Sequence, residues 1–145
     1  MRRYLIVANQ TLLGEPLLAR VQECLAAGPC RFHLVVPATH APGPSWQLEH
    51  RDHVYAAERL QQGLERFRAQ GIDIEGEVGD ARAMDAVRDA IRNAGPFDEI
   101  ILSTLPAGVS RWLHQDLPHR LHRWFELPVS TVVTRRVAAA RRVAA

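Results

Sequence analysis

The chain has 145 residues, of which 47% are hydrophobic and 23% charged, so it is long enough for one well-buried domain and too short for two ordinary ones. All 18 basic residues are arginine, and 16 carboxylates nearly balance them, which argues against nucleic acid as a partner. The N-terminal "MRRYLIVAN" has too few apolar residues for a signal peptide or a membrane span. We therefore expect a single cytoplasmic domain that has no membrane partner.

Short apolar runs alternate with amphipathic segments along the chain. Tyr4 to Ala8, for example, is a continuous apolar run of the kind that forms a strand buried on both faces. Asp80 is predicted to cap the third helix. The predicted elements are strands at 4–8, 31–38, 72–78, 98–103 and 127–133, and helices at 16–28, 51–70, 80–93 and 118–125. The apolar faces predicted for the four helices are Leu17, Leu18, Val21 and Leu25; Val54, Ala57, Leu60, Leu64 and Phe67; Met84, Val87 and Ile91; and Leu121, Trp124 and Phe125.

This alternation of strands and helices predicts an α/β fold. The long crossovers require parallel strands, with helices on both faces of the sheet. Where the strand order reverses, a crevice opens at the carboxyl ends of the strands, and ligands bind there. The loops expected at that crevice are "NQT", after the first strand, and "STLPAGVSR", after the fourth.

Four stretches resemble the universal stress protein family in their order and spacing. They are "VANQT", "GEVGDARAMDAV", "EIILSTLPAGVSRWL" and "ELPVSTVV", and together they span nearly the whole chain. The last two are the most persuasive, because "GVSR" stands where the family often has a Gly-apolar-Ser-Arg run. The resemblance implies a Rossmann-like, adenine nucleotide alpha hydrolase-like fold with strand order 3-2-1-4-5. It also implies a homodimer joined through the last strand, Val129 to Val133, and adenine nucleotide binding at the crevice in some members.

The resemblance places a nucleotide site on residues of the first, second and fourth strands and of the loops after them. ATP or another adenine nucleotide is the expected cofactor, although none is certain, and no metal is expected. The residues that it assigns are Ala8, Asn9, Thr11, Val36, Ser103, Thr104, Gly108, Val109, Ser110 and Arg111.

The phosphate loop departs from the family pattern. Counted without a gap, the two glycines of the family's GxxG fall on Ser103 and Pro106, and its final Gly-hydroxyl pair falls on Asp116 and Leu117. A proline offers no amide donor, and an aspartate facing the site would repel a phosphate. Asn9 replaces the aspartate that holds adenosine in the family's binders, yet it can still bond a ribose hydroxyl or a base edge. We therefore expect weakened or altered nucleotide binding, with residues 108–111 as the remaining anion cradle.

Several other groups of residues suggest alternative functions. His114, His119 and His122, with Asp116 among them, are either a solvated helix face or a metal site. A His114 and Asp116 pair would suit acid–base catalysis, with Ser103 or Ser110 as nucleophile, but no GxSxG elbow is present.

The cysteines and the aromatic residues favour structural roles. Cys24 and Cys30 fit no zinc or CxxC spacing and are expected to be packed, reduced thiols. The long loop at residues 39–50 is expected to act as a flap or dimer contact. His50 and His53, near Trp46 of this loop, would sense pH, cover a ligand or simply begin a helix on the surface. Trp112 and Trp124 would pack in the core or a dimer contact, or stack on bases.

The leading hypothesis is a universal stress protein-like domain at residues 1–134, followed by a basic Ala/Arg tail at 135–145. Its function would be regulatory, as stress-linked binding of a ligand or partner, and it would not be an enzyme. The alternatives are an enzyme of the same fold that acts on a nucleotide or phosphate substrate, and a purely protein-interaction dimer module. The arginines of the tail, Arg135, Arg136, Arg141 and Arg142, are expected to be solvated, with RNA or an acidic partner as the alternative.

Overall fold

The computed structural model of the chain describes residues 1–39 and 48–135. The predicted flap with Trp46 and most of the basic tail therefore lie outside the described residues, as does the side chain of His50. Strands and helices alternate as the sequence predicts. The elements are β1 (Arg2–Val7), α1 (Glu15–Ala27), β2 (Cys30–Pro37), α2 (Leu48–Ala69), β3 (Ile74–Gly79), α3 (Ala83–Ala94), β4 (Glu99–Thr104), α4 (Arg111–His114), α5 (Leu117–Phe125) and β5 (Val129–Val133).

The five strands form one sheet of order β3-β2-β1-β4-β5, and every neighbouring pair is parallel. The predicted α/β fold and strand order are confirmed. In the register, Ile6 of β1 lies between Leu34 of β2 and Ile101 of β4. The strand order reverses between β1 and β4, so the predicted crevice falls at the carboxyl ends of these two strands.

Helices cover both faces of the sheet and create two hydrophobic cores. On one face, α1 and α2 bury residues such as Val21 and Phe67 against Ile6 and Leu34. On the other face, α3 and α5 bury Val87 and Leu121. Successive residues of β1 alternate between the two cores, as a strand covered on both sides requires.

The two cysteines pack in the core as free thiols. Cys24 and Cys30 are both buried, and burial raises the pKa of each thiol, so both are protonated at neutral pH. Within the described part of the chain, no helix combines the length and apolar character needed to cross a membrane.

Three apolar positions differ from their predicted roles. Val54 and Trp124 are 41% and 72% exposed, so neither belongs to the inward face of its helix. On α1, Leu25 is also exposed, and Cys24 takes its place in the core.

The start of α3 also differs from the prediction. The helix begins at Ala83, with Arg82 as its N-cap residue and no side-chain capping bond. Asp80 instead accepts a hydrogen bond of 2.8 Å from the backbone amide of Arg82, two residues further on. Asp80 therefore shapes the turn before the helix, and the first-turn amides of α3 have no side-chain cap.

Gly76 in β3 provides a direct test of the packing between the sheet and α2. A Cβ at this position would lie 2.7 Å from both the backbone oxygen of Leu34 and the Cδ1 of Leu60, and the backbone oxygen cannot move aside. We expect Gly76→Ala to lower the free energy of unfolding by about 1–3 kcal/mol in urea denaturation, as overpacking does. Gly108→Ala is the matched control, since a Cβ there meets nothing within 4 Å, and we expect no loss of stability. Equal effects of the two substitutions would contradict this packing.

Candidate functional site

A cleft of about 840 Å³ opens at the carboxyl ends of the strands. Its volume is in the range of pockets that enclose small organic ligands. The loops after β1, β3 and β4, the residue Thr39 after β2, and the helices α4 and α5 all contribute to its walls. The lining residues are Asn9, Gln10, Thr11, Thr39, Ala81, Arg82, Ala83, Met84, Asp85, Ser103, Thr104, Leu105, Val109, Ser110, Arg111, Trp112, Gln115, Leu117 and Arg120.

Asn9 follows β1, and the Nδ2 group of its side-chain amide donates both of its hydrogen bonds within the protein. Its Nδ2 donates to the backbone oxygen of Pro37 at 2.8 Å and to Thr39 Oγ1 at 2.9 Å. A backbone oxygen can only accept, so the orientation of the amide is fixed. The other atom, Oδ1, is buried and has no hydrogen-bond partner in the described residues. A cleft-lining residue that is only 4% exposed thus carries an unpaired acceptor.

The loop that carries Asn9 is fixed from α2. Nη1 of Arg59 donates to the backbone oxygens of Asn9 and Gln10, at 3.2 Å in each case. The other guanidinium nitrogen of Arg59 bonds to the hydroxyl of Tyr55. The backbone oxygen of Asn9 also accepts the backbone amide of Leu12 at 3.3 Å, so both carbonyls at the exit of β1 have partners outside the strand pairing.

Two pairs of buried hydroxyls join the loops at the floor of the cleft. The hydroxyls of Thr11 and Ser103 are 2.6 Å apart and tie the loop after β1 to β4. Those of Thr104 and Ser110 are also 2.6 Å apart and tie β4 to the start of α4. One hydrogen bond uses only one of the two hydroxyl protons in a pair, so each pair retains a donor with no acceptor among the described residues.

The loop after β4 closes on itself. The amides of Val109 and Ser110 both donate to the backbone oxygen of Pro106, at 3.0 and 2.9 Å. Ser110 Oγ also accepts the amide of Leu113 at 3.1 Å and so caps α4. The predicted anion cradle at residues 108–111 therefore has two of its amides, and the serine hydroxyl, already engaged within the protein.

Three arginines give the cleft a positive wall. Arg82 comes from the turn before α3, Arg111 begins α4, and Arg120 lies on α5. The one lining carboxylate, Asp85, pairs with Arg88 at 3.2 Å. The guanidinium groups of Arg82 and Arg111 have no partner within residues 1–39 and 48–135, and that of Arg120 makes only a 3.5 Å bond to the backbone oxygen of Gln115. Arginines that are exposed and unpaired in a cleft attract anions.

The structure brings together seven of the ten residues predicted for the site. They are Asn9, Thr11, Ser103, Thr104, Val109, Ser110 and Arg111. Ala8 and Val36 lie in the core under α1 and α2 and do not line the cleft. Gly108 is exposed, also outside the lining.

The residues expected to disturb a phosphate lie outside the cleft lining. Pro106 contributes its backbone oxygen to the loop, as described above, and its side chain is not at the cleft wall. Asp116 is exposed and has a left-handed backbone, with φ 56°, at the start of α5. Its carboxylate is therefore not part of the positive wall. Asp116 is outside the cleft lining, where it was expected to repel a bound phosphate.

The three clustered histidines do not line the cleft. His114, His119 and His122 are exposed and outside the cleft lining, and His122 Nδ1 lies 2.9 Å from the backbone oxygen of Leu127. Nowhere in the described ranges do three or more His, Cys, Asp or Glu side chains come together as metal ligands would. His53 is an exposed residue of α2. Of the predicted aromatic residues Trp112 and Trp124, Trp112 lines the cleft and packs against the core under α3 and α5.

Sequence reasoning missed the wall formed by α3 and α5. Arg82, Ala83, Met84 and Asp85 line the cleft because β3 also ends at this edge of the sheet. Parallel strands all present their carboxyl ends on one side, and this rule alone would have included the loop after β3. Arg120 carried no such signal, since its place depends on how α5 turns back along the cleft.

Comparison with known proteins gives one informative likeness. No protein-family model matches the sequence. None of the curated proteins matches it either. Among solved structures, a universal stress protein family protein from Arabidopsis thaliana with AMP bound is similar at a TM-score of 0.60 and 10% sequence identity, over 96% of this chain and 95% of that one. The chain has the universal stress protein fold. This fold, adenine nucleotide alpha hydrolase-like, confirms the predicted fold class.

The hydroxyl pair of Thr104 and Ser110 can be tested by a double-mutant cycle. Ser110→Ala removes the cap of α4 and leaves the buried Thr104 hydroxyl unpaired, so we expect a loss of about 1–3 kcal/mol in the free energy of unfolding. In a protein that already carries Thr104→Val, Ser110→Ala leaves no buried hydroxyl unpaired, so we expect it to lower the free energy of unfolding by less. Urea denaturation of the four proteins measures both effects. Additive losses would contradict a direct bond between the two side chains.

Proposed function

We propose that the chain is a divergent universal stress protein that binds an adenine nucleotide in the cleft and acts as a regulatory binding protein in the cytoplasm. The observation that carries the proposal is the buried Oδ1 of Asn9 at the switch point of the sheet, which has no hydrogen-bond partner among the described residues. The solved structure of similar fold has AMP bound, which supports an adenine nucleotide as the ligand class. A link to stress rests on the family resemblance alone.

Asn9 supports the nucleoside half of the proposal. A buried polar atom without a partner costs about 1–3 kcal/mol, and a ligand that supplies a donor relieves that cost. Ribose hydroxyls and the exocyclic amine of adenine are both donors. Because the amide is fixed by Pro37 and Thr39, Asn9 offers an acceptor only, which is the role that an aspartate has in the family's binders.

The phosphate half of the proposed site is altered. Glycine-rich loops bind phosphate through free amides, but here the amides of Val109 and Ser110 already donate to Pro106. A phosphate in this cleft would have to displace those bonds or bind elsewhere on the wall. We therefore infer that nucleotide binding does not follow the GxxG pattern.

A binding role is better supported than catalysis. The two serine hydroxyls of the cleft, those of Ser103 and Ser110, bond to threonines, and neither has a histidine or carboxylate partner in the described residues. A serine nucleophile needs an adjacent base. The candidate pair of His114 and Asp116 lies outside the cleft lining. An enzyme of the same fold stays the alternative hypothesis, and turnover of a nucleotide that disappears with Arg111→Ala would support it.

The first test of the proposal is nucleoside binding. We expect adenosine and AMP each to raise the melting temperature, since a ligand at 100 times its dissociation constant adds about 2.7 kcal/mol of stability. Asn9→Ala should weaken adenosine binding about threefold to tenfold in calorimetric titration, because it removes one hydrogen-bond acceptor. Asn93→Ala, an exposed asparagine outside the cleft lining, is the matched control. No stabilisation by adenosine, AMP or ATP at millimolar concentration would refute the proposed function.

We also propose a homodimer joined through β5. This strand lies at the edge of the sheet and pairs with β4 alone among the described elements. Unpaired strand edges of this kind pair readily with other chains. Trp124 is 72% exposed on α5, the helix that packs against β5, and is therefore available to contact a second copy of the chain beside this edge. A purely protein-interaction module would use the same edge.

The dimer can be tested by light scattering coupled to size-exclusion chromatography. We expect the wild type at micromolar concentration to have twice the mass of the chain. Thr131→Glu, in the middle of the exposed edge, should yield monomers, because a two-fold axis brings the two new charges close together. Gln62→Glu adds the same charge to the exposed side of α2 and should remain dimeric. A monomeric wild type would exclude the dimer.

A further inference from the structure

We infer that the cleft binds the phosphate of a nucleoside 5′-phosphate through the guanidinium groups of Arg82, Arg111 and Arg120, without a divalent metal ion. This inference rests on the proposed function and specifies the ligand class that the site accepts. In this site, side chains from three different elements of the fold take the place of the backbone amides of a glycine loop.

The first reason is the charge of the cleft wall. Three arginines and one aspartate line it, and the aspartate already pairs with Arg88 at 3.2 Å. Within the described ranges, Arg82 and Arg111 make no ion pair or side-chain hydrogen bond. Like charges gathered around one concave surface repel one another, and a bound anion removes that repulsion. Guanidinium groups match phosphate oxygens in a fork geometry, with two parallel N–H bonds.

The second reason is the start of α3. The first-turn amides of Ala83 and Met84 have no capping side chain, and both residues line the cleft. These amides add donors and the positive end of the helix dipole to the same wall. A helix start alone does not define a site, but the buried and unpaired Oδ1 of Asn9 is a separate sign of a ligand in the same cleft.

The third reason is the scarcity of groups that would hold a metal ion. Mg²⁺ on a nucleotide is usually bound through one or two carboxylates. Among the residues that the structure describes, Asp85 is the one lining carboxylate, and it is engaged with Arg88. Neutralisation of the phosphate by arginine therefore takes the place of the metal, and binding should be the same in magnesium and in EDTA.

The test compares adenosine with AMP by isothermal titration, on the wild type and on single arginine variants. We expect AMP to bind at least tenfold more tightly than adenosine in 50 mM salt, and this advantage to shrink at 500 mM salt because salt screens exposed charges. Arg82→Gln, Arg111→Gln and Arg120→Gln should each weaken AMP about threefold to fivefold, as expected for exposed ion pairs, and leave adenosine unchanged. Arg123→Gln is the matched control, since this exposed arginine on α5 is outside the cleft lining.

The outcomes separate this inference from the proposed function. Equal binding of adenosine and AMP overturns the arginine site and leaves nucleoside binding standing. An AMP advantage that survives all three arginine substitutions, or that requires magnesium, also overturns it. A third outcome is that adenosine and AMP do not bind, inorganic pyrophosphate binds, and the arginine variants abolish pyrophosphate binding. In that case the three arginines form an anion site and the proposed function fails. If none of the three binds, both are overturned.

Discussion

The position of β1 in the centre of the sheet is the constraint on which the rest of the structure depends. β1 is hydrogen-bonded to β2 on one side and to β4 on the other, and its residues alternate between the two cores. The run from Tyr4 to Ala8 is therefore apolar, and the first polar residue after it, Asn9, comes where the pairing ends. Because all strands are parallel, that residue meets the loops after β2 and β4 at one edge. The cleft therefore follows from the strand order and from the parallel direction of the strands.

Once β1 is fixed, the polar groups at its end organise the site. The Asn9 amide is satisfied on its Nδ2 side by Pro37 and Thr39, and the loop carbonyls are satisfied by Arg59. Among the described residues, the buried Oδ1 of this cleft-lining asparagine has no partner, and the cleft also holds hydroxyl groups and three arginines. A nucleoside 5′-phosphate has donors, acceptors and negative charge in one molecule. These complementary groups connect the fold to the proposed function.

The fold was predictable from the sequence because its signals are local and repeated. Runs such as Tyr4 to Ala8 and the stripe through Leu60, Leu64 and Phe67 each determine one element, and the alternation of elements determines a parallel sheet. The strand order came from the family resemblance. Boundaries were less predictable: the sequence did not indicate that α3 begins at Ala83 with Asp80 bonding to a turn amide, or that Trp124 faces solvent. Those details depend on rotations of a few tens of degrees that packing decides.

The candidate site was predictable only in part, and the reason is physical. Residues after β1 and β4 were identified because a loop follows its strand in the chain. Arg82 lies in the loop after β3, which the same rule would have included, whereas Arg120 reaches the cleft through the tertiary placement of α5, which no sequence spacing encodes. The role of Pro106 also differed from the expectation. The proline was expected to remove a phosphate donor, yet its backbone oxygen also engages the amides of Val109 and Ser110, which makes backbone recognition of phosphate weaker still.

The most direct test of this account is a crystal structure of the protein with AMP. The account predicts that a ligand donor bonds to Asn9 Oδ1 and that phosphate oxygens lie about 2.7–2.9 Å from guanidinium nitrogens of Arg82, Arg111 or Arg120, the usual length of a charge-assisted bond. A phosphate bound instead to the amides of residues 108–111, with Asn9 Oδ1 still unpaired, would contradict it.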